Sequence, residues 1–335
     1  MRKKLSMILA SLLMVISVSL AGCTTEQKKE AAKEPAIVAK VGALKGPTSM
    51  GMVQMMNQAK ENKNKDYEFT IYNSVDEIVP KVVNKDLDIA ALPSNVAAVL
   101  YNKTKGNVDT LAINTLGILY IVENGNSVKN IQDLKGKTIY SSGKGATPQF
   151  ALDYILKGNG IDPQKDVNIE YKSEHTEALA ALLKNKNSLA LLPQPFVTVA
   201  KAKNKELNPV IDLTKEWDKL NKDSKDKSTL ITGVVVVRKE FAEKYPEKVK
   251  NFMTEYKKSI EFTNSDVEQA AKLIGEFKII PAPIAKAAIP KCNITYIDGK
   301  DMKEKLSGYL KVLYDANPKS IGGKMPGEDF YYVQK

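Results

Sequence analysis

Residues able to do covalent or metal chemistry are scarce in this chain of 335 residues. Its one histidine, His175, follows Glu174 at an expected helix start, with no serine or cysteine motif nearby, which predicts a surface or capping role. Cys23 and Cys292 stand far apart, and no His/Cys cluster has metal-site spacing. Gly143-Lys144-Gly145 lacks the spacing of a phosphate-cradling P-loop. Reversible binding is the chemistry that remains, and its candidates are turn residues. DIAALPSNVAAVLY (88–101) is echoed by SLALLPQPFVTVAK (188–201): a short apolar strand, a Leu-Pro step, a polar pair and a helix. Ser94 and Asn95 close the first turn, and Gln194 and Pro195 take the same places in the second. A strand running straight into a helix leaves the first backbone N–H groups of that helix without intrahelical partners, an end that favours negative charge.

The elements that must position these turns repeat as well. AIVAKVGAL (36–44) alternates as a strand and breaks at Lys45-Gly46-Pro47-Thr48 before an apolar helix carrying Met50, Met52, Val53, Met55 and Met56. Pro47 suits a first helical turn. A strand at 67–72 and a helix at 74–84 lead to the first Leu-Pro step. In the second half, strand 137–142, the turn Gly143 to Pro148, helix 149–160, strand 167–172 and helix 176–186 lead to the second. Lys45-Gly46 corresponds to Lys144-Gly145, and Asp76-Glu77 to Thr176-Glu177, so one unit is used twice. Strand–helix alternation of this kind predicts α/β architecture with two parallel-sheet lobes. The segment 110–123 is longer than one strand needs and reads as a crossing between lobes. The β-branched run 230–241, broken at Thr232-Gly233, reads as the return. Lobe 1 is thus expected over 37–115 and 231–335, and lobe 2 over 116–230. The charged stretch 214–229, with the only tryptophan, reads as a loop. Helices at 247–263, 266–277, 281–289 and 301–314 should cover lobe 1. The Gly- and Pro-rich end should lie on the surface, pinned by Phe330, Tyr331 and Tyr332.

The start of the chain decides the compartment. Arg2, Lys3 and Lys4, an apolar run over 7–20, and the small residues Ala21 and Gly22 form a signal peptide, too short in its apolar part to span a bilayer. Leu20-Ala21-Gly22-Cys23 resembles the bacterial lipobox, in which the cysteine is acylated with a fatty acid such as palmitate. Residues 24–36 are polar enough to be a disordered tether between this anchor and the lobes, within the segment 23–36. Loss of residues 1–22 removes those three cations and takes the formal net charge from +11 to +8. The lysines are interleaved with acidic residues and form no aromatic-flanked basic block, which excludes nucleic acid as the partner and fits an anionic cell surface. One arginine, Arg238, remains beyond the signal peptide. A bound oxyanion must therefore be met by backbone N–H, hydroxyls or lysine rather than by a guanidinium fork.

Taken together, the lipobox, VGALKGPTSMGMVQMM, DIAALPSN, LKGKTIYSSGKGATPQFAL, LALLPQPFV and the IGGK…DFYY tail resemble the substrate-binding lipoproteins of ABC importers, in the branch grouped with nitrate, sulfonate, taurine and thiamine-precursor binders. The resemblance covers 37–335. It implies a type II periplasmic-binding-protein fold, two lobes joined by two crossing strands, anchored as a monomer on the outer face of the cytoplasmic membrane. It implies delivery of a small molecule to permease and ATPase subunits, without a cofactor. Relatives of this fold that make thiamine pyrimidine use a histidine and a Cys-rich motif, which this chain does not have, so no enzyme is expected. A surface lipoprotein acting as an adhesin or presenting its ligand to a sensor is the alternative. Carried onto this sequence, the family's site comprises Gly46, Pro47, Thr48, Ser49 and Met50 with Ser94 and Asn95 on one lobe. The other lobe offers Ser142, Gly143, Lys144, Gly145, Ala146, Thr147, Gln194, Pro195 and Phe196, with Thr232 near a hinge. Met50, Met52, Tyr72, Tyr101, Tyr140 and Phe196 are candidates for apolar contact, with core packing as the competing reading. Lys45 and Lys144 are candidates for charge. A sulfonate-like anion and a thiamine-precursor-like heteroaromatic both fit these residues.

Overall fold

Each Leu-Pro step ends a buried strand, and each such strand lies inside its own sheet. The computed structural model describes residues 37–223 and 228–333, so the signal peptide, Cys23 and the tether over 23–36 lie outside the described residues. The first unit runs β1 (Ala39–Leu44), α1 (Pro47–Met50), α2 (Val53–Lys60), β2 (Tyr67–Tyr72), α3 (Val75–Val83), β3 (Ile89–Pro93) and α4 (Ser94–Lys103). Strands β4 (Val108–Leu116) and β5 (Leu119–Glu123) follow. The second unit runs β6 (Thr138–Ser142), α5 (Thr147–Gly158), β7 (Asn168–Lys172), α6 (His175–Lys184), β8 (Leu189–Pro193) and α7 (Phe196–Lys203). Then come β9 (Asn208–Asp212), α8 (Leu213–Asn221), β10 (Ile231–Arg238), α9 (Lys239–Lys244), α10 (Pro246–Ser265), α11 (Val267–Glu276), α12 (Ala282–Ala288), β11 (Ile294–Ile297) and α13 (Gly299–Ala316).

Both units build the same parallel trio. In one sheet, ordered β11-β4-β10-β3-β1-β2, strand β1 is parallel to β2 and β3. In the other, ordered β7-β6-β8-β5-β9, strand β6 is parallel to β7 and β8. Each sheet is mixed, because the crossing segments add antiparallel strands to the trio: β10 pairs with β3 and β4, and β5 with β8 and β9. The chain leaves the first sheet at the end of β4 and enters the second at β5. It returns through β10, whose Val234, Val235, Val236 and Val237 are all buried, as the unbroken β-branched run requires of a strand covered on both faces. The Thr232-Gly233 break coincides with register shifts between β10 and β4. A Cβ on Gly233 would lie 2.5 Å from Asn114 Oδ1 and 3.0 Å from Thr48 Cγ2, so glycine is what allows the turn after β1 to settle onto the crossing strands.

In the stretch expected as a charged loop over 214–229, residues 214–221 are instead helical, as part of α8. Asp212 caps α8 by accepting hydrogen bonds from the Thr214 and Lys215 amides. Leu213 and Trp217, one turn apart, bury the helix's apolar stripe, and lysines crowded around it hide that stripe from a composition reading. The cover helices form where the periodicity puts them, but they do more than roof one unit. Helices α10 and α11 pack on α2, whereas α12 touches α7 and α13 touches both α4 and α5. One apolar cluster accordingly runs from Leu92 and Val234 through Leu119 and Ile139 to Leu152, Trp217 and Tyr309. The tail is pinned as expected: Phe330 is fully buried, Tyr331 bridges to Thr110, and Tyr101 donates to Asp329 at 2.5 Å. No helix among the described residues is long and apolar enough to cross a membrane.

Candidate functional site

A crevice of about 100 Å³ lies at the carboxyl ends of the parallel strands of both sheets, where the loops of open α/β sheets gather. The turn after β1 supplies Lys45, Gly46, Pro47 and Thr48 to one wall, and the crossing strands supply Thr115, Ile118, Leu119 and Thr232 to the floor. Thr147, His175 and Phe196, the first residues of α5, α6 and α7, form the facing wall. Gly46 has φ +140, a backbone state that only glycine adopts without strain, so the sharp break after Lys45 depends on it.

Hydrogen-bond bookkeeping defines what this lining offers. Thr48 Oγ1 donates to the Leu44 carbonyl at 2.8 Å, and Thr232 Oγ1 to the Leu116 carbonyl at 2.6 Å. Asn95 Nδ2 donates to the Gly145 and Ser320 carbonyls, so its Oδ1 can only accept, and Thr147 Oγ1 donates to it at 3.2 Å. Thr115 Oγ1 likewise donates to Asn114 Oδ1 at 3.1 Å. The four hydroxyl protons are committed to the protein, leaving lone pairs and methyls for the crevice. Donors come from elsewhere. Among the described residues, the backbone amides of Thr48 and Thr147 take no acceptor, as expected in the first turn of a helix, and Lys45 is the one ammonium in the lining. No carboxylate among the described residues lines the crevice.

His175 corrects the surface or capping role expected from sequence. It opens α6 directly after β7, at the strand ends that face the crevice. Its Nδ1 lies 2.5 Å from Ser142 Oγ and its ring centre 5.1 Å from that of Phe196. Burial pushes its pKa down to about 4, so the imidazole is neutral, with Nε2 the ring nitrogen left free of Ser142. One sequence signal pointed to it: the repeat places this residue at the start of a helix matching the one that opens after β2.

Of the residues expected in a site, the crevice gathers Gly46, Pro47, Thr48, Thr147, Phe196 and Thr232, together with Lys45. Ser49 turns back on Gly46, exchanging hydrogen bonds with its carbonyl and amide, and Met50 and Met52 are fully buried in the core. Ser94 and Asn95 are also fully buried. Instead of facing a shared opening, the starts of α4 and α5 hold each other: Ser94 Oγ donates to the Ile231 carbonyl at 2.6 Å and lies 3.3 Å from Thr147 Oγ1. Ser142 stands behind His175. Gly143, Lys144, Gly145 and Ala146 form the turn outside the lining, with the Lys144 ammonium 6.0 Å from the Tyr171 ring centre. Gln194 Oε1 accepts from the Thr198 hydroxyl at 2.8 Å, and Pro195 precedes α7 without reaching the crevice. Tyr72, Tyr101 and Tyr140 do not line it. Thr115, Ile118, Leu119 and the Leu-Pro prolines Pro93 and Pro193 do line it, although the sequence marks the first three only as part of the crossing and the prolines only as the step from strand to helix.

Residues 50–281 match the family model described as "ABC transporter, phosphonate, periplasmic substrate-binding protein". Solved structures share the fold. An ABC transporter protein from Parabacteroides distasonis is 24% identical, with 89% of this chain and 99% of that chain covered and a TM-score of 0.71. The periplasmic aliphatic sulphonate binding protein SsuA from Escherichia coli is 13% identical over 90% and 94%, with a TM-score of 0.69. The ligand binding component of an ABC-type import system from Staphylococcus aureus, solved with zinc bound, is 18% identical over 88% and 96%, with a TM-score of 0.66. A search of curated proteins returned no match. With the family model spanning more than half of the chain and reaching into both units of the fold, this protein belongs to the phosphonate-type periplasmic substrate-binding proteins of ABC transporters, the component that binds the importer's substrate rather than an enzyme.

Proposed function

We propose that the protein is held at the outer face of the cytoplasmic membrane by a lipid on Cys23 and captures a singly protonated phosphonate in the crevice for transfer to its permease and ATPase. The observation that carries the ligand assignment is the division of hydrogen-bonding roles. Lys45 and the Thr48 and Thr147 amides suit the charged oxygens of an oxyanion, while the threonine hydroxyls, with their own protons committed, suit the remaining P–OH. A sulfonate has oxygens for the first set and no proton for the second. A heteroaromatic ligand would meet only Phe196 and the neutral His175 as rings. Hydrogen bonds involving charge contribute about 1.5–3 kcal/mol each, and micromolar binding needs about 8 kcal/mol, so several of these groups must act together.

A thermal-shift screen of methylphosphonate, methanesulfonate, acetate and an aminopyrimidine tests the reading. Methylphosphonate at 100 times its dissociation constant should add about 2.7 kcal/mol of stability, with less from the others. A response to the pyrimidine alone would overturn it. For the anchor, the full chain should incorporate an alkyne-labelled palmitate in its bacterial host, and Cys23→Ala should abolish incorporation; a labelled Cys23→Ala variant would refute it.

A further inference from the structure

Beside the crevice runs a second, larger hollow of about 550 Å³, with one wall made by α6 and α7 and the other by the turn between α11 and α12. Lys45 and Phe196 line both spaces, so the two adjoin at these side chains. The groove is built from matched helix faces. Thr176, Leu179 and Leu183 follow one another along α6, as do Phe196, Val199 and Lys203 along α7, each at the three- to four-residue spacing that puts side chains on one stripe. Ile279, Ile280 and Pro281 face them. Among the described residues, no carboxylate lines this groove, and its charges are the lysines Lys45, Lys203 and Lys278. Leu179, Leu183, Phe196 and Val199 give the two stripes an apolar middle that borders the hollow, and from Thr176 to Leu183 the α6 face extends about 10 Å.

We propose that this groove is the tail site of the same ligand: the captured phosphonate carries a linear apolar substituent that leaves the crevice past Lys45 and lies between Leu183, Val199 and Ile280. The proposal rests on the phosphonate reading above and adds the ligand's second half. The crevice alone has room for a compact headgroup, while drug-sized ligands occupy roughly 300–1,000 Å³, a range the groove enters. Lys45 stands at the junction, where it can hold a headgroup oxygen while its methylene stem borders the first carbons of the tail.

Titration calorimetry with methyl-, butyl- and octylphosphonate tests this on the wild-type protein and on Leu183→Gln and Val199→Gln. Each methylene that leaves water tightens binding about fourfold, so octylphosphonate should bind at least fiftyfold tighter than methylphosphonate. The two variants should lose most of that gain and keep the wild-type affinity for methylphosphonate within about twofold. Methylphosphonate binding without any chain-length gain would overturn the tail site and leave the headgroup reading standing. A chain-length gain that both variants retain would also overturn it. Failure of every phosphonate to bind would overturn both readings. The wild-type series stands by itself should either variant fold poorly.

Discussion

Thr147 shows how a residue can be in the right place for a reason other than the expected one. Its position at the start of α5 follows from the Gly-rich turn, but its hydroxyl proton goes to Asn95, and only tertiary structure reveals that. His175 was missed for a related reason: apart from its place in the repeat, a lone histidine beside a glutamate carries no local sign that Ser142 and Phe196 will pack against it. Its chemistry has a measurable signature. The folded-state pKa of about 4 lies below the usual value of about 6.5, so between these values the unfolded chain holds more protons. Stability from this group is therefore complete above about pH 6.5 and is lost as pH falls toward 4. In urea titrations, His175→Gln should lose less stability than the wild type over that window; parallel losses would contradict the assignment. Asp109 has the opposite sign. Burial, the Lys239 ammonium that partly counters it, and the carboxylates of Asp329 and Glu243 leave its pKa raised to about 6, with Tyr332 also close by and Oδ1 without a partner among the described residues. The native state then holds more protons between about 3.8 and 6, so ionisation above pH 6 costs stability. Asp109→Asn should stabilise the protein by up to about 3 kcal/mol at pH 8 and by nothing near pH 4. An unchanged denaturation midpoint at pH 8 would count against it.

At the scale of elements, the Leu-Pro steps made the repeat visible, because a strand ending directly in a helix leaves an uncommon apolar-Pro-polar signature. The pairing of each trio followed from strand–helix alternation. Helix α8 did not show itself, since its buried face amounts to a few residues in a lysine-rich stretch. The contact between α4 and α5 was equally hidden: both helix starts were legible, but that they meet each other is a matter of packing. Asn95 measures that contact. Asn95→Ala orphans the buried Ser320 carbonyl, while the Gly145 carbonyl can turn to water and the Thr147 hydroxyl to Ser94, and an unsatisfied buried group costs about 1–3 kcal/mol. The urea midpoint should drop accordingly with an unchanged m-value. A drop below about 0.5 kcal/mol would mean these bonds are not made in solution.

Across the whole molecule, two copies of one unit share an apolar cluster on the side where α4, α5, α8 and α13 meet, and leave the crevice elsewhere between them, with the groove beside it between the second copy and the α11–α12 turn. The α/β class and the crossings were readable from sequence because period, length and β-branched runs are local properties. The division of hydrogen-bond roles around the crevice was not, because it depends on which carbonyl each threonine reaches. That division is the centre of the account, and calorimetric titration of the purified protein with methylphosphonate and methanesulfonate between pH 6 and 9 tests it most directly. His175 is already neutral across this range and adds no inflection. Methylphosphonate should bind one-to-one and weaken as its second proton leaves. Methanesulfonate binding should not change with pH and should be weaker at pH 6 by about tenfold, the worth of one hydrogen bond. Equal affinity for the two, or methylphosphonate binding that tightens as pH rises, would contradict this division of roles.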